Sequence, residues 1–168
     1  MSSRFVHLHL HTEFSLADSI IRVPEKPDHA DPKKAKQANL LSRAVELGMP
    51  ALAVTDRNNL FALVKFYKAA EGVGIKPIAG ADVMVAEGGE APWPVTLLCR
   101  DREGYLSLSR LLSRAWMEGH RTDGVAIEPE WLRADHQGLF AIIGRQSLAG
   151  RLALTGRLAV EHQVVSEE

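Results

Sequence analysis

"ALAVTDRNNLFALVKFYKAAEGVGIKPIAGADVMVA", residues 51–86, carries two hydrophobic rhythms, and their order decides the fold. Residues 51–55 are a short continuous apolar run, the pattern of a strand covered on both faces in a parallel sheet. Residues 59–74 ("NLFALVKFYKAAEGVG") read as helix, and residues 76–86 ("KPIAGADVMVA") as extended chain again. Strand, helix and strand in succession predict a βαβ unit.

Working outward, the same alternation continues. Upstream, "FVHLHLHTEF" (5–14) opens as a strand, with Val6, Leu8 and Leu10 on one face and Phe5, His7, His9 and His11 on the other. Pro24, Pro27 and Pro32 then exclude regular structure until Asp31, which reads as a helix N-cap with Pro32 at the first helical position. Leu41, Ala44, Val45 and Gly48 follow at helical spacing, Gly48 being the stop. Downstream come a strand at 94–99 ("PVTLLC"), an amphipathic helix at 104–119 ("GYLSLSRLLSRAWMEG") and another apolar strand at 138–144 ("GLFAIIG"). The final "RLALTGRLAVEHQVVSEE" (151–168) has helical content and no further strand. About five strands are too few for a closed eight-stranded barrel. The expectation is an α/β fold with a parallel sheet or an incomplete barrel, as if the chain were the first part of a larger domain.

The bulk composition narrows the classes. The chain has 168 residues, 46% hydrophobic and 24% charged, which is ordinary for one soluble globular domain. A net charge of -1 gives no basic field for gripping nucleic acid, so DNA would be met only through other parts of a larger protein. The lone cysteine, Cys99, excludes an internal disulfide and reads as buried packing in a reducing compartment. No membrane-length apolar run and no secretory h-region occur, so the expected location is the cytoplasm.

In such folds chemistry sits at the carboxyl ends of the strands. The candidates there are "HLHTEFSLAD" (9–18), "TDRNN" (55–59), "GAD" (80–82), Pro94 and "GRQS" (144–147). His9 and His11, two apart on a strand, would hold imidazoles about 7 Å apart on one face. Asp18 adds a hard oxygen, and imidazole with carboxylate suits zinc or manganese. An H-x-H pair alone is a weak signal, since histidines also fill polar interiors. Asp56 and Asp82 are unremarkable one by one, because an aspartate after a strand is commonly a helix cap. His29, His120, His136 and His162 stand singly in polar surroundings and read as solvent-exposed.

"FVHLHLHTEFSLAD", "PALAVTDRNNLFALVKFYKAAEGVGIKPIAGADV" and "TLLCRDREGYLSLSRLLSRAW" resemble, in order, the PHP (polymerase and histidinol phosphatase) domain that opens bacterial replicative DNA polymerase III alpha subunits. The resemblance covers residues 4–150, which sets the domain at 1–150 and a truncated tail at 151–168. It implies a distorted TIM-like (βα)7 barrel, present here as its N-terminal portion. Some members bind a metal cluster and remove nucleotides. Others have lost the metals and serve as a platform that contacts the proofreading exonuclease subunit.

Carried over residue by residue, the family's metal pattern is only partly kept. His9, His11 and Asp18 stand at ligand positions, and Asp82 replaces a ligand glutamate. The ligand histidine of Thr-Asp-His is Arg57, a histidine opening the fourth strand is Pro94, and a ligand cysteine is Arg145. The family's last Asp-x-His pair lies beyond this chain, and residues 19–38 make a longer connection than usual with no assigned role. The implied site is a vestigial one of His9, His11, Asp18 and Asp82, with Arg57 in place of metal charge and no catalytic residue. Zinc or manganese is expected there at low occupancy at most.

The function the resemblance implies is that of a replicative DNA-directed DNA polymerase, whose magnesium-dependent nucleotidyl transfer is carried by other domains. Its implied partners are those remaining polymerase domains and the exonuclease subunit, with no membrane. The alternative is an active metal-dependent phosphoesterase or 3'-5' proofreading exonuclease, against which Arg57, Pro94 and Arg145 speak.

Overall fold

The computed structural model describes residues 5–23, 39–88, 91–122 and 124–142. The chain starts with an extended segment and a 3-10 helix at Glu13–Asp18. Then come α1 (Leu40–Glu46), β1 (Ala51–Val54), α2 (Leu63–Gly72), β2 (Lys76–Val85) and β3 (Trp93–Cys99). Next are α3 (Arg102–Glu118), β4 (His120–Arg121), β5 (Gly124–Val125), α4 (Pro129–Ala134) and β6 (Leu139–Ile142). No helix among the described residues is long and apolar enough to cross a membrane.

The βαβ reading of 51–86 holds: β1 and β2 are parallel neighbours with α2 between them. The wholly parallel sheet does not. The order is β1-β2-β3-β6, and both β2–β3 and β3–β6 are antiparallel. A parallel return needs a crossover of about a dozen residues or more. The connection from 86 to 92 is too short, so β3 can only fold back on β2. Between β3 and β6 the chain leaves through α3 and comes back through α4 to the same end of β3. There the Arg100 amide donates to the Gly138 carbonyl at 2.9 Å, and Cys99 pairs with Leu139. No closed barrel occurs among the described residues.

Two apolar clusters hold this sheet. One packs β2 and β3 against α3, with Val83, Leu97, Leu108 and Leu111 nearly fully buried. The other packs α1 and α2 on β1 around Phe66, which is 0% exposed. The helix before β1 has a different start among the described residues from the one expected. Asn39 caps α1, its side chain accepting from the Leu41 and Ser42 amides, while Asp31 and Pro32 lie outside the described residues. Gly48 closes the turn after α1 with φ +69°, a conformation that costs glycine nothing. The tail at 151–168 and Arg145 also lie outside the described residues.

Candidate functional site

The histidine segment does not run as a regular strand. The Ala53 amide donates to the His7 carbonyl at 2.9 Å, and the Thr55 amide to the Leu10 carbonyl at 2.8 Å. An even parallel ladder would use His9 as the second acceptor, so one extra residue is spent between these bonds. Strict alternation is therefore lost. Leu8 is 41% exposed while Leu10 packs on the cluster under α2.

The irregularity brings the histidines together. The His9 and His11 ring centroids are 4.9 Å apart, closer than even alternation predicts. Both rings address one oxygen: Asp82 Oδ2 is 2.7 Å from His9 Nε2 and 2.8 Å from His11 Nε2. An ionised carboxylate only accepts, so each imidazole presents an N–H to it. Asp82 is buried in β2, and Thr96, facing it across the pair with β3, donates its hydroxyl to Oδ1 at 2.6 Å. Both carboxylate oxygens are thereby engaged.

Asp18 sits at the end of the 3-10 helix, and its partner is Arg57. The guanidinium Nη2 lies 2.9 Å from Asp18 Oδ2, whereas His11 Nδ1 is 3.9 Å from that oxygen. Arg57 also forms a parallel bridge with Asp82, which sets its backbone beside that of the residue both histidines approach.

Asp56 corrects an expectation. It is not a helix cap, since the N-cap position of α2 is Ala62, with no side-chain cap bond. Its buried carboxylate accepts from the Thr12 amide (2.6 Å), the Thr12 hydroxyl (2.7 Å) and the Ser15 hydroxyl (2.6 Å). That clamp ties the loop carrying His11 and Asp18 to the end of β1. Pro94, two residues from Thr96 on β3, shares the face of Thr96 by alternation and brings no donor to it.

Among the described residues, His9, His11 and Asp82 form the one group of three donors able to meet on a single ion, their atoms within 4.8 Å of one another. Two imidazoles and a carboxylate fit one zinc or manganese ion. They do not fit a cluster, because Asp18 is held by Arg57. The roles of Thr96, Thr12 and Ser15 are not visible in the sequence, since each matters through a partner set by long-range register. His120 and His136 are exposed, as read, and His29 and His162 lie outside the described residues.

Cys99 is half-buried at the end of β3. Burial, with the nearby Asp101 charge adding to it, pushes its thiol up to about 11. It is a packing residue well apart from the histidines in sequence and sheet position.

Comparison with known proteins completes the assignment. DNA polymerase III subunit alpha of Xylella fastidiosa (strain 9a5c) is 72% identical over 149 residues, covering 88% of this chain and 12% of that protein. Its namesake from Pseudomonas aeruginosa is 46% identical over 146 residues, covering 84% of this chain and 11% of that protein. The chain therefore spans only about an eighth of the curated relatives it matches. Among solved structures, an amidohydrolase from Chromobacterium violaceum overlays with a TM-score of 0.41 at 21% identity, covering 68% of this chain and 37% of the other. The PHP domain family matches residues 7–165, nearly the whole chain, and the chain belongs to that family.

Proposed function

We propose that this chain is the N-terminal portion of the PHP domain of a replicative DNA polymerase alpha subunit, and that its metal site is degenerate. On this reading residues 1–150 form the first part of a distorted (βα)7 barrel. Nucleotidyl transfer, with its magnesium, belongs to the remaining domains. The PHP portion serves as a structural platform for those domains and for a proofreading exonuclease subunit, in the cytoplasm. The identity of 72% to a DNA polymerase III subunit alpha is the observation that carries this reading.

The degenerate site is supported by Arg57 on Asp18. A guanidinium is always charged and prefers carboxylates. Its partner oxygen on Asp18 lies 3.9 Å from His11 Nδ1, so its positive charge stands near the donors and repels a divalent ion there. The second reading, an active phosphoesterase or 3'-5' exonuclease, is favoured by the convergence of His9, His11 and Asp82. A bound metal there would supply an activated water and hold phosphoryl oxygens.

Metal content after purification without chelator, alongside hydrolysis of 3'-labelled DNA, separates the two. Substoichiometric metal and no hydrolysis are expected, with occupancy rising in Arg57→His. A full equivalent of zinc or manganese in the unaltered chain would overturn the degenerate-site reading. Primer extension should require the full-length protein; extension by these 168 residues alone would overturn the polymerase-portion reading.

A further inference from the structure

The backbone of Arg57 is held by Ser15, which accepts from its amide, and by Asn59, whose side chain donates to its carbonyl; the residue that follows it is held more fully. Asn58 has φ +51°, in the left-handed region that asparagine enters more readily than most residues. It is 7% exposed, and its polar groups are all engaged. Its amide donates to the Asp82 carbonyl at 2.7 Å. Its side-chain Nδ2 donates to the Val125 carbonyl at 2.9 Å, and Oδ1 accepts from the Met84 amide at 3.3 Å. Its own carbonyl accepts from the Trp116 indole N–H at 2.8 Å. Four contacts thus tie one left-handed residue to β2, β5 and α3.

We propose that Asn58 is a positioning residue, braced by Trp116, that aims Arg57 at Asp18 and keeps it beside Asp82. The parallel bridge between Arg57 and Asp82 sets the two backbones side by side. The left-handed turn at Asn58 then sends the chain away from the site, so that the Arg57 side chain stays over it while the Asn58 side chain turns into the fold. The hydrogen bonds offset the cost of that backbone conformation. If they are removed, the turn relaxes and the guanidinium loses its fixed bearing.

A purely packing role would give Asn58 the same burial and the same effect on stability. The two differ at Arg57. This inference deepens the proposed function, because it rests on Arg57 as the resident cation of the site. Side-chain nitrogen NMR of the 15N-labelled chain reads the arginine directly. Arg57, held by Asp18, should give Nη signals resolved from the averaged arginine peak, and Asp18→Asn should return them to it. Asn58→Gly keeps the positive φ at no steric cost but drops both side-chain bonds. Trp116→Phe keeps an aromatic ring, smaller than the indole, and drops the N–H donor. Both variants should lose the resolved Arg57 signal.

Persistence of that signal in both variants, whatever happens to their melting temperatures, would overturn the proposal. So would its absence in the unaltered chain. Should Asn58→Gly not fold, Trp116→Phe decides alone, since its ring is half-exposed and little packing is lost. Failure of the degenerate-site reading would show separately, as a full equivalent of metal in the unaltered chain.

Discussion

Asp56 and Asp82 are both buried aspartates at the carboxyl end of the sheet, and the fold puts them to opposite uses. Asp82 holds the two imidazoles that could join it in binding a metal, whereas the Asp56 carboxylate accepts from Thr12 and Ser15 and holds the loop in place. Charged-acceptor bonds in a buried site are worth about 1.5–3 kcal/mol each and are not additive. Asp56→Ala should therefore cost about 3 kcal/mol or more in chemical denaturation. Asp18→Asn breaks a part-exposed ion pair and should cost under about 1 kcal/mol. Equal costs would refute the division of roles. Cys99 gives a pH test at the same scale. Its thiol lies at about 11 against an ordinary 9.0, so at neutral pH it holds roughly a hundredfold less thiolate and should react that much more slowly with alkylating agents. Because the folded value is the raised one, stability from the neutral thiol is intact below about pH 9 and lost as pH climbs through about 11. Cys99→Ser should flatten that alkaline loss. The His9 and His11 positions were legible in the motif itself, but their convergence was not. It depends on the extra residue between the His7 and Leu10 hydrogen bonds, which only the neighbouring β1 imposes.

Among the elements, β1 was legible as a short continuous apolar run, and α2, β2 and α3 because each carries one pattern over its length. Strand direction was not. A buried apolar strand reads the same either way, and the only signal was the short connection from 86 to 92. The β4–β5 ribbon escaped because two-residue strands show no period, and α4 because six residues fall short of two turns. The start of α3 shows how tightly these elements are fitted. A Cβ built on Gly104 would overlap the Gly138 carbonyl, so α3 and the approach to β6 are in backbone contact there. Gly104→Ala should separate them and cost about 3 kcal/mol, at the upper end of overpacking penalties. Gly72, at the end of α2, has open space around it, and Gly72→Ala should gain about 0.5–1 kcal/mol. Thermal melts of the two variants should move in opposite directions. A melting temperature for Gly104→Ala that does not fall would mean that the contact at Gly104 is not a tight one, and a fall for Gly72→Ala that its surroundings are not open.

For the whole molecule, what matters is how the sheet ends. On one side β1 is flanked by the histidine segment through the His7–Leu52 bridge. On the other, β6 pairs with β3 and with no further strand among the described residues. Phe140 is 57% exposed and Ile142 38%, so an apolar surface accompanies an edge that is unpaired among the described residues. Such an edge is a template for another chain. The isolated chain should therefore self-associate as its concentration rises, detectable by sedimentation velocity. Phe140→Lys places a charge on that edge without removing a core contact, since the Phe140 side chain is mostly in solvent. It should shift the distribution toward monomer while leaving the melting temperature nearly unchanged. Association that persists in Phe140→Lys would assign it to another exposed apolar residue, such as Phe61 or Met117. A unaltered chain that stays monomeric across the same range would show that the edge is already covered.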